Sequence, residues 1–138
     1  MRSVRLKREV VTIDAKKILV VEDDKYLTGA YVTKLSKTGF EVKTAGDGDE
    51  ALRILNDFIP DLILLDLVMP HKDGFATLAE IKANAKWKHI PIIVATNLSL
   101  QEDIDRAMKL GAQDYVVKSD MTVDDFVRKI KMVLHIYS

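Results

Sequence analysis

Cysteine is absent from the 138 residues, which excludes disulfides and thiolate-held metals and fits a reducing compartment. Proline and glycine are scarce, three and six residues, and they fall at turns rather than in the clusters that mark interdomain linkers or low-complexity tracts. No apolar run approaches the roughly 18 to 20 residues that would span a bilayer, since Asp or Pro interrupts every candidate. The N-terminus lacks the pattern of a signal peptide. A soluble, cytoplasmic chain with no membrane contact is therefore expected. Net charge is missing too, with 21 basic and 21 acidic residues.

The charges that are present are unevenly placed. Residues 1–17 carry six bases against Glu9 and Asp14, a local +4 that leaves −4 for the remainder. A run this short is read as a solvated basic N-terminal extension over residues 1–16, and nucleic acid is not the expected partner. Residues 17–138 are then one domain, long enough to bury roughly two thirds of the surface its unfolded form exposes. No fused output domain is expected.

Strand and helix patterns alternate five times along that domain. Ile18–Val21, Leu62–Leu65 and Ile92–Thr96 are apolar, partly β-branched runs suited to strands covered on both faces. Phe40 opens a second strand that runs through Val42 to Ala45, and Asp114–Val117 makes a fifth. Between them, Leu27, Ala30, Tyr31 and Leu35 recur at helical spacing with Gly39 as a stop. Ala51, Leu52, Ile54 and Leu55 form a second helix face ending near Pro60, and Phe75, Leu78, Ala79 and Ile81 a third. Ser99 and Glu102 have capping-box spacing for a fourth helix that runs to Leu110 and stops at Gly111. Thr122 and Asp125 have it for the last, whose buried stripe is Phe126, Val127, Ile130, Val133 and Leu134. A (βα)5 alternation implies an α/β fold, a parallel sheet with helices on both faces.

Polar residues gather where these strands end. Glu22-Asp23-Asp24 follows the first, Asp66 the third, Thr96 closes the fourth, Tyr115 lies in the fifth and Lys118 follows it, all at the edge where open parallel sheets keep their ligand sites. Clustered carboxylates repel unless protons or a cation intervene. Mg²⁺ suits them, because it takes hard oxygen ligands and is commonly held by one or two carboxylates with phosphate oxygens. An ionised Asp is a competent nucleophile toward an activated phosphoryl donor, and that transfer needs mainly in-line positioning and charge neutralisation. Lys118 supplies a point charge for this and Thr96 a hydroxyl donor.

Taken together, Ile18-Leu19-Val20-Val21-Glu22-Asp23-Asp24, Asp61 through Pro70 with Asp73-Gly74, Pro91 through Thr96, and Gly111 through Lys118 resemble the motifs of response-regulator receiver domains of two-component signalling systems. The resemblance covers roughly residues 17–137. It implies the flavodoxin-like doubly wound sheet with strand order 2-1-3-4-5. It further implies Asp66 as phosphoacceptor, Mg²⁺ held by Asp23, Asp66, Glu22 and the Val68 backbone carbonyl, Lys118 and Thr96 as catalytic groups, and Thr96 with Tyr115 as the switch. The phosphoryl donor would be a sensor histidine kinase or histidine phosphotransfer protein, docking on the first helix around Lys25, Tyr26 and Gly29. A downstream protein would read the face made by the fourth helix, fifth strand and fifth helix. The protein would be a monomer or weak homodimer, and an enzyme only toward its own phosphorylation and dephosphorylation.

Two positions depart from the family pattern. Ser119 stands where proline usually follows the lysine. A cis bond before a non-proline residue costs about 3 kcal/mol against roughly 0.5 to 1 before proline, which leaves the isomer and the aim of Lys118 open. Asn97 stands where a small residue is common, either narrowing access to the phosphoryl group or adding a hydrogen bond to it. Val68 and Leu98 are apolar and position no attacking water, so a long-lived acyl phosphate is expected. The alternative reading is a receiver-like interaction module that is not phosphorylated. A phosphatase of the Asp-x-Asp type fails because Val68 occupies its second acid position. A flavin carrier fails because the acidic first loop would repel phosphate.

Overall fold

The structure, a computed structural model, describes the backbone of residues 2–6, 9–13 and 15–136 and the side chains of residues 15–136. Two strands, β1 (Arg2–Leu6) and β2 (Glu9–Ile13), pair antiparallel within the basic N-terminal segment. They form a sheet of their own. The basic extension expected over residues 1–16 contains this strand pair.

The second sheet is built from β3 (Lys17–Val21), β4 (Glu41–Ala45), β5 (Leu62–Leu65), β6 (Ile92–Thr96) and β7 (Asp114–Val117). All four pairings are parallel, in the order β4-β3-β5-β6-β7. Counted from β3 this is 2-1-3-4-5, the flavodoxin-like topology. Intervening helices are α1 (Lys25–Thr38), α2 (Gly48–Leu55), α3 (Gly74–Ala83), α4 (Gln101–Lys109) and α5 (Val123–Val133).

Alternation along the strands divides the core between two faces. Leu19, Val21, Ile63, Leu65, Ile92 and Val94 pack with Leu55, Leu78, Ile81 and Ala107 from α2, α3 and α4. Their neighbours Ile18, Val20, Leu62, Leu64, Ile93 and Ala95 pack with Tyr31 and Leu35 of α1 and Phe126, Val127 and Ile130 of α5. Burial on both faces is why these strands read as continuous apolar runs. Trp87 belongs to the first of these layers, buried rather than presented as an anchor.

Helix ends follow the predicted chemistry except in two places. Gly39 takes the left-handed conformation, φ 110°, that closes α1, and Thr122 and Asp125 form a complete capping box on α5. The start of α4 differs: Leu100 is its N-cap and makes no side-chain cap bond, which leaves the predicted Ser99 one residue too early. Capping depends on which residue leaves the helical conformation, and spacing alone does not locate that residue. Helix α2 ends at Leu55, short of Pro60, and is capped at its start by Asp47, whose side chain accepts from the Glu50 N–H.

Candidate functional site

Register brings the strand ends together. Val21 pairs with Leu65, Leu65 with Val94 and Thr96 with Val117. The residues that follow, Glu22, Asp66, Asn97 and Lys118, therefore leave the sheet along one edge. The ladder continues a step beyond the strands, with the Glu22 N–H donating to Ala45 O at 2.9 Å and the Asp66 N–H to Val21 O at 3.0 Å.

At that edge Glu22 and Asp66 are each only 5% exposed. The Lys118 ammonium bridges them, donating to Glu22 Oε1 at 2.7 Å and to Asp66 Oδ2 at 3.0 Å. Asp66 Oδ1 accepts the Leu67 N–H at 2.7 Å and the Val68 N–H at 3.3 Å, while Glu22 Oε2 accepts the Asp24 N–H at 3.2 Å. Burial raises the Glu22 pKa; the hydrogen bond from Lys118 opposes this and the Asp66 charge adds to it. Burial acts to lower Lys118, but its hydrogen bonds to Glu22 and Asp66 outweigh that and hold its pKa above the ordinary lysine value.

Carboxylate oxygens of Glu22, Asp23 and Asp66 lie within 4.8 Å of one another. Two of these acids are buried and Asp23 is exposed, so the cluster opens to solvent on the Asp23 side. Three hard anionic donors against one ammonium leave an excess of negative charge, and the donor set fits a small divalent cation that keeps part of its water shell. Asp24 is not part of the cluster. Its side chain caps α1, accepting the Leu27 N–H at 3.1 Å.

The other sequence-derived residues lie around this centre. Thr96 is fully buried at the end of β6, and its Oγ1 accepts the Leu98 N–H at 3.4 Å. The Tyr115 hydroxyl donates to the Leu98 carbonyl at 2.7 Å, tying β7 to the loop after β6. Val68 exposes its side chain and turns its N–H to Asp66. No cis peptide bond occurs among the described residues, so Lys118–Ser119 is trans, and the ammonium still reaches Asp66.

Three features emerge only in the folded structure. Gly74 donates its N–H to Leu67 O at 2.9 Å, and a Cβ there would fall 2.3 Å from Asp66 O and 2.4 Å from Leu67 Cα. The Asp-Gly pair at 73–74 carried this signal, yet it reads only as a turn. Asn97 Oδ1 accepts the Ser119 N–H at 3.1 Å, so the two departures from the family pattern touch each other. Tyr31, assigned to the apolar face of α1, is 2% exposed and its hydroxyl has no hydrogen-bond partner.

Residues 18–131 match the family description "Response regulator receiver domain". Among curated relatives, the probable transcriptional regulator ycf27 of Cyanophora paradoxa is 44% identical over 106 residues, which cover 77% of this chain and 43% of the relative. The chain thus spans less than half the length of that relative. Among solved structures, the Mn²⁺-bound form of response regulator Rcp1 is similar with a TM-score of 0.74 and 36% identity, over 84% of this chain and 91% of that one. The phosphorylated cyanobacterial phytochrome response regulator RcpA gives 0.76 and 35%, over 87% and 91%. With the family match spanning residues 18–131 and the sheet order in agreement with it, the chain belongs to the response regulator receiver domain family of two-component systems.

Proposed function

We propose that this domain accepts a phosphoryl group on Asp66 from a histidine kinase or histidine phosphotransfer protein. The single observation that carries the reading is the Lys118 ammonium 3.0 Å from a buried Asp66 oxygen beside two further carboxylates. An Asp66 oxygen attacks phosphorus as the bond to the donor's imidazole nitrogen breaks. The electron pair leaves with the imidazole, which takes a proton from solvent. No general base is needed, because the nucleophile is already ionised. Lys118 compensates charge on the transferred group, and the Thr96 hydroxyl would donate to one of its oxygens. Glu22, Asp23, Asp66 and the Val68 carbonyl are the residues that would hold Mg²⁺, which when bound neutralises the incoming phosphoryl charge. That response regulator Rcp1 has a Mn²⁺-bound form supports a divalent ion as the ligand.

Phosphorylation adds charge and strong acceptors at Asp66. Thr96 would be drawn toward them, and the Tyr115 hydroxyl, anchored on Leu98 of the same loop, would carry the change to the face of α4, β7 and α5. A downstream protein reads that face. The curated relatives are named as transcriptional regulators, and a transcriptional output through such a partner is consistent with their names. The donor would dock on α1, where Tyr26 is 90% exposed and borders a shallow groove with Gly29, Thr33, Lys37 and Val123.

Acetyl phosphate with Mg²⁺ tests the reading. Wild type is expected to gain the mass of one phosphoryl group and Asp66→Asn none. An unmodified wild-type protein, or equal modification of the variant, would overturn the assignment. Val68 and Leu98 offer no group to orient water, so the acyl phosphate should persist for minutes, and a decay within seconds would contradict that.

A further inference from the structure

Lys118 stands at the start of a 3-10 turn, Lys118–Asp120, and a pocket open to solvent lies beside that turn. A cavity of about 220 Å³ lies between α1, α5 and the two loops, lined by Tyr31, Asn97, Lys118, Ser119, Met121 and Phe126 among others. On the α1 side the Tyr31 hydroxyl is buried without a partner. Met121, which directly follows the turn, packs against the core layer of α1 and α5. The turn's own backbone bond, Met121 N–H to Lys118 O at 3.2 Å, shapes the turn but does not attach it to a neighbour.

One described hydrogen bond spans from the turn to the loop after β6: the Ser119 N–H donates to Asn97 Oδ1 at 3.1 Å. Register explains why they meet, since Thr96 pairs with Val117 and the next residues diverge from adjacent strand ends. Asn97 directly follows the buried hydroxyl Thr96, and Ser119 directly follows the bridging ammonium.

We infer that Asn97 and the Ser119 N–H form a clasp that positions Lys118 for phosphoryl transfer by locking the Lys118 turn to the Thr96 loop. The pair touches neither phosphorus nor the acceptor oxygen, so both are positioning residues. A lysine stem has four rotatable carbons and considerable freedom, so its head finds Glu22 and Asp66 reliably only if its Cα is fixed. The clasp also orients the Asn97 amide: Oδ1 faces the Ser119 N–H, so the NH₂ donors face away from it. The function assigned to the clasp rests on the phosphoacceptor reading of Asp66.

The test is a double-mutant cycle on the rate of Asp66 phosphorylation by acetyl phosphate, with folded stability followed in parallel. Asn97→Ala removes the acceptor, and a backbone ester in place of the Lys118–Ser119 amide, introduced by semisynthesis, removes the donor N–H while keeping both side chains. Each is expected to slow transfer by about 3- to 10-fold, the scale of one lost hydrogen bond. The double variant should be no slower than the slower single, because both remove the same bond. Amide exchange at Ser119 should accelerate in Asn97→Ala, and the NMR signal of the Lys118 ammonium should shift or broaden. Multiplicative slowing, unchanged Ser119 exchange, or stability losses with wild-type rates would overturn the clasp. Should wild type take no phosphoryl group at all, the phosphoacceptor reading fails separately. The Ser119 exchange and Lys118 signal then decide whether Asn97 positions the lysine.

Discussion

Glu22 and Asp66 share the Lys118 ammonium at 2.7 and 3.0 Å, and this arrangement favours charge compensation over packing. Buried ion pairs are weak contributors to stability because desolvation offsets their attraction, so the triad is better explained by the chemistry it supports. Tyr31 is a different kind of buried polar group, with neither partner nor evident task. Burial, then the charges of Glu22 and Asp66, push its pKa up, so it stays a neutral phenol that has given up its bond to water. Tyr31→Phe removes the orphan hydroxyl and keeps the ring that meets Phe126 edge-on at 5.2 Å. Urea denaturation should find the variant about 1 kcal/mol more stable. A loss of stability would mean that the hydroxyl is hydrogen-bonded in solution.

The loop between β5 and α3 shows how elements impose what single residues do not reveal. Asp66 ends the strand, Leu67 and Val68 turn their N–H groups onto its carboxylate, and the chain must then return close enough for Gly74 to bond Leu67. Only a residue without Cβ fits that approach. Gly74→Ala should destabilise the fold by about 3 kcal/mol or more, since the clash is with backbone rather than a movable side chain. A midpoint close to wild type in thermal denaturation would refute the tight approach. Capping behaves similarly at this scale. Thr122 and Asp125 satisfy each other's backbone groups as their spacing announces, whereas Ser99 and Glu102 have the same spacing and do not cap α4. The pattern was equally legible in both, and the local backbone path chose between them.

Across the whole molecule, the excess of carboxylates links stability to pH and metal. Glu22 has its pKa raised above 4.5, so just above that value the native state retains a proton that the unfolded chain has lost. The Glu22 contribution to the stability of the metal-free protein therefore falls as pH rises through that window. Divalent metal acts in the opposite direction, because it binds the deprotonated site and stabilises only the folded form. Melting temperatures measured with and without Mg²⁺ should diverge as pH rises above 4.5, and Glu22→Gln should flatten the metal-free slope. Parallel curves with and without the ion would dismiss metal binding at this cluster. The Lys118 contribution runs the other way along the scale. Its pKa is raised by its partners, so its stabilisation is complete below 10.5 and is lost as pH rises through its folded value.

Sequence alone determined the parallel α/β architecture, because strands buried on both faces must be continuously apolar and the helices between them must carry one apolar stripe. It also placed Glu22, Asp23, Asp66, Thr96 and Lys118 at strand ends, where a shared sheet direction brings them to one edge. Tertiary structure decided what depends on distances between segments remote in the chain. These are the aim of Lys118 across a trans bond to Ser119, the contact between Asn97 and Ser119, the close return of Gly74 and the unpartnered Tyr31 hydroxyl. The N-terminal hairpin belongs with them, since strand pairing is a property of two segments and neither announces it alone. Local periodicity records which face of an element is buried, but not which atoms of another element lie within hydrogen-bonding distance of it.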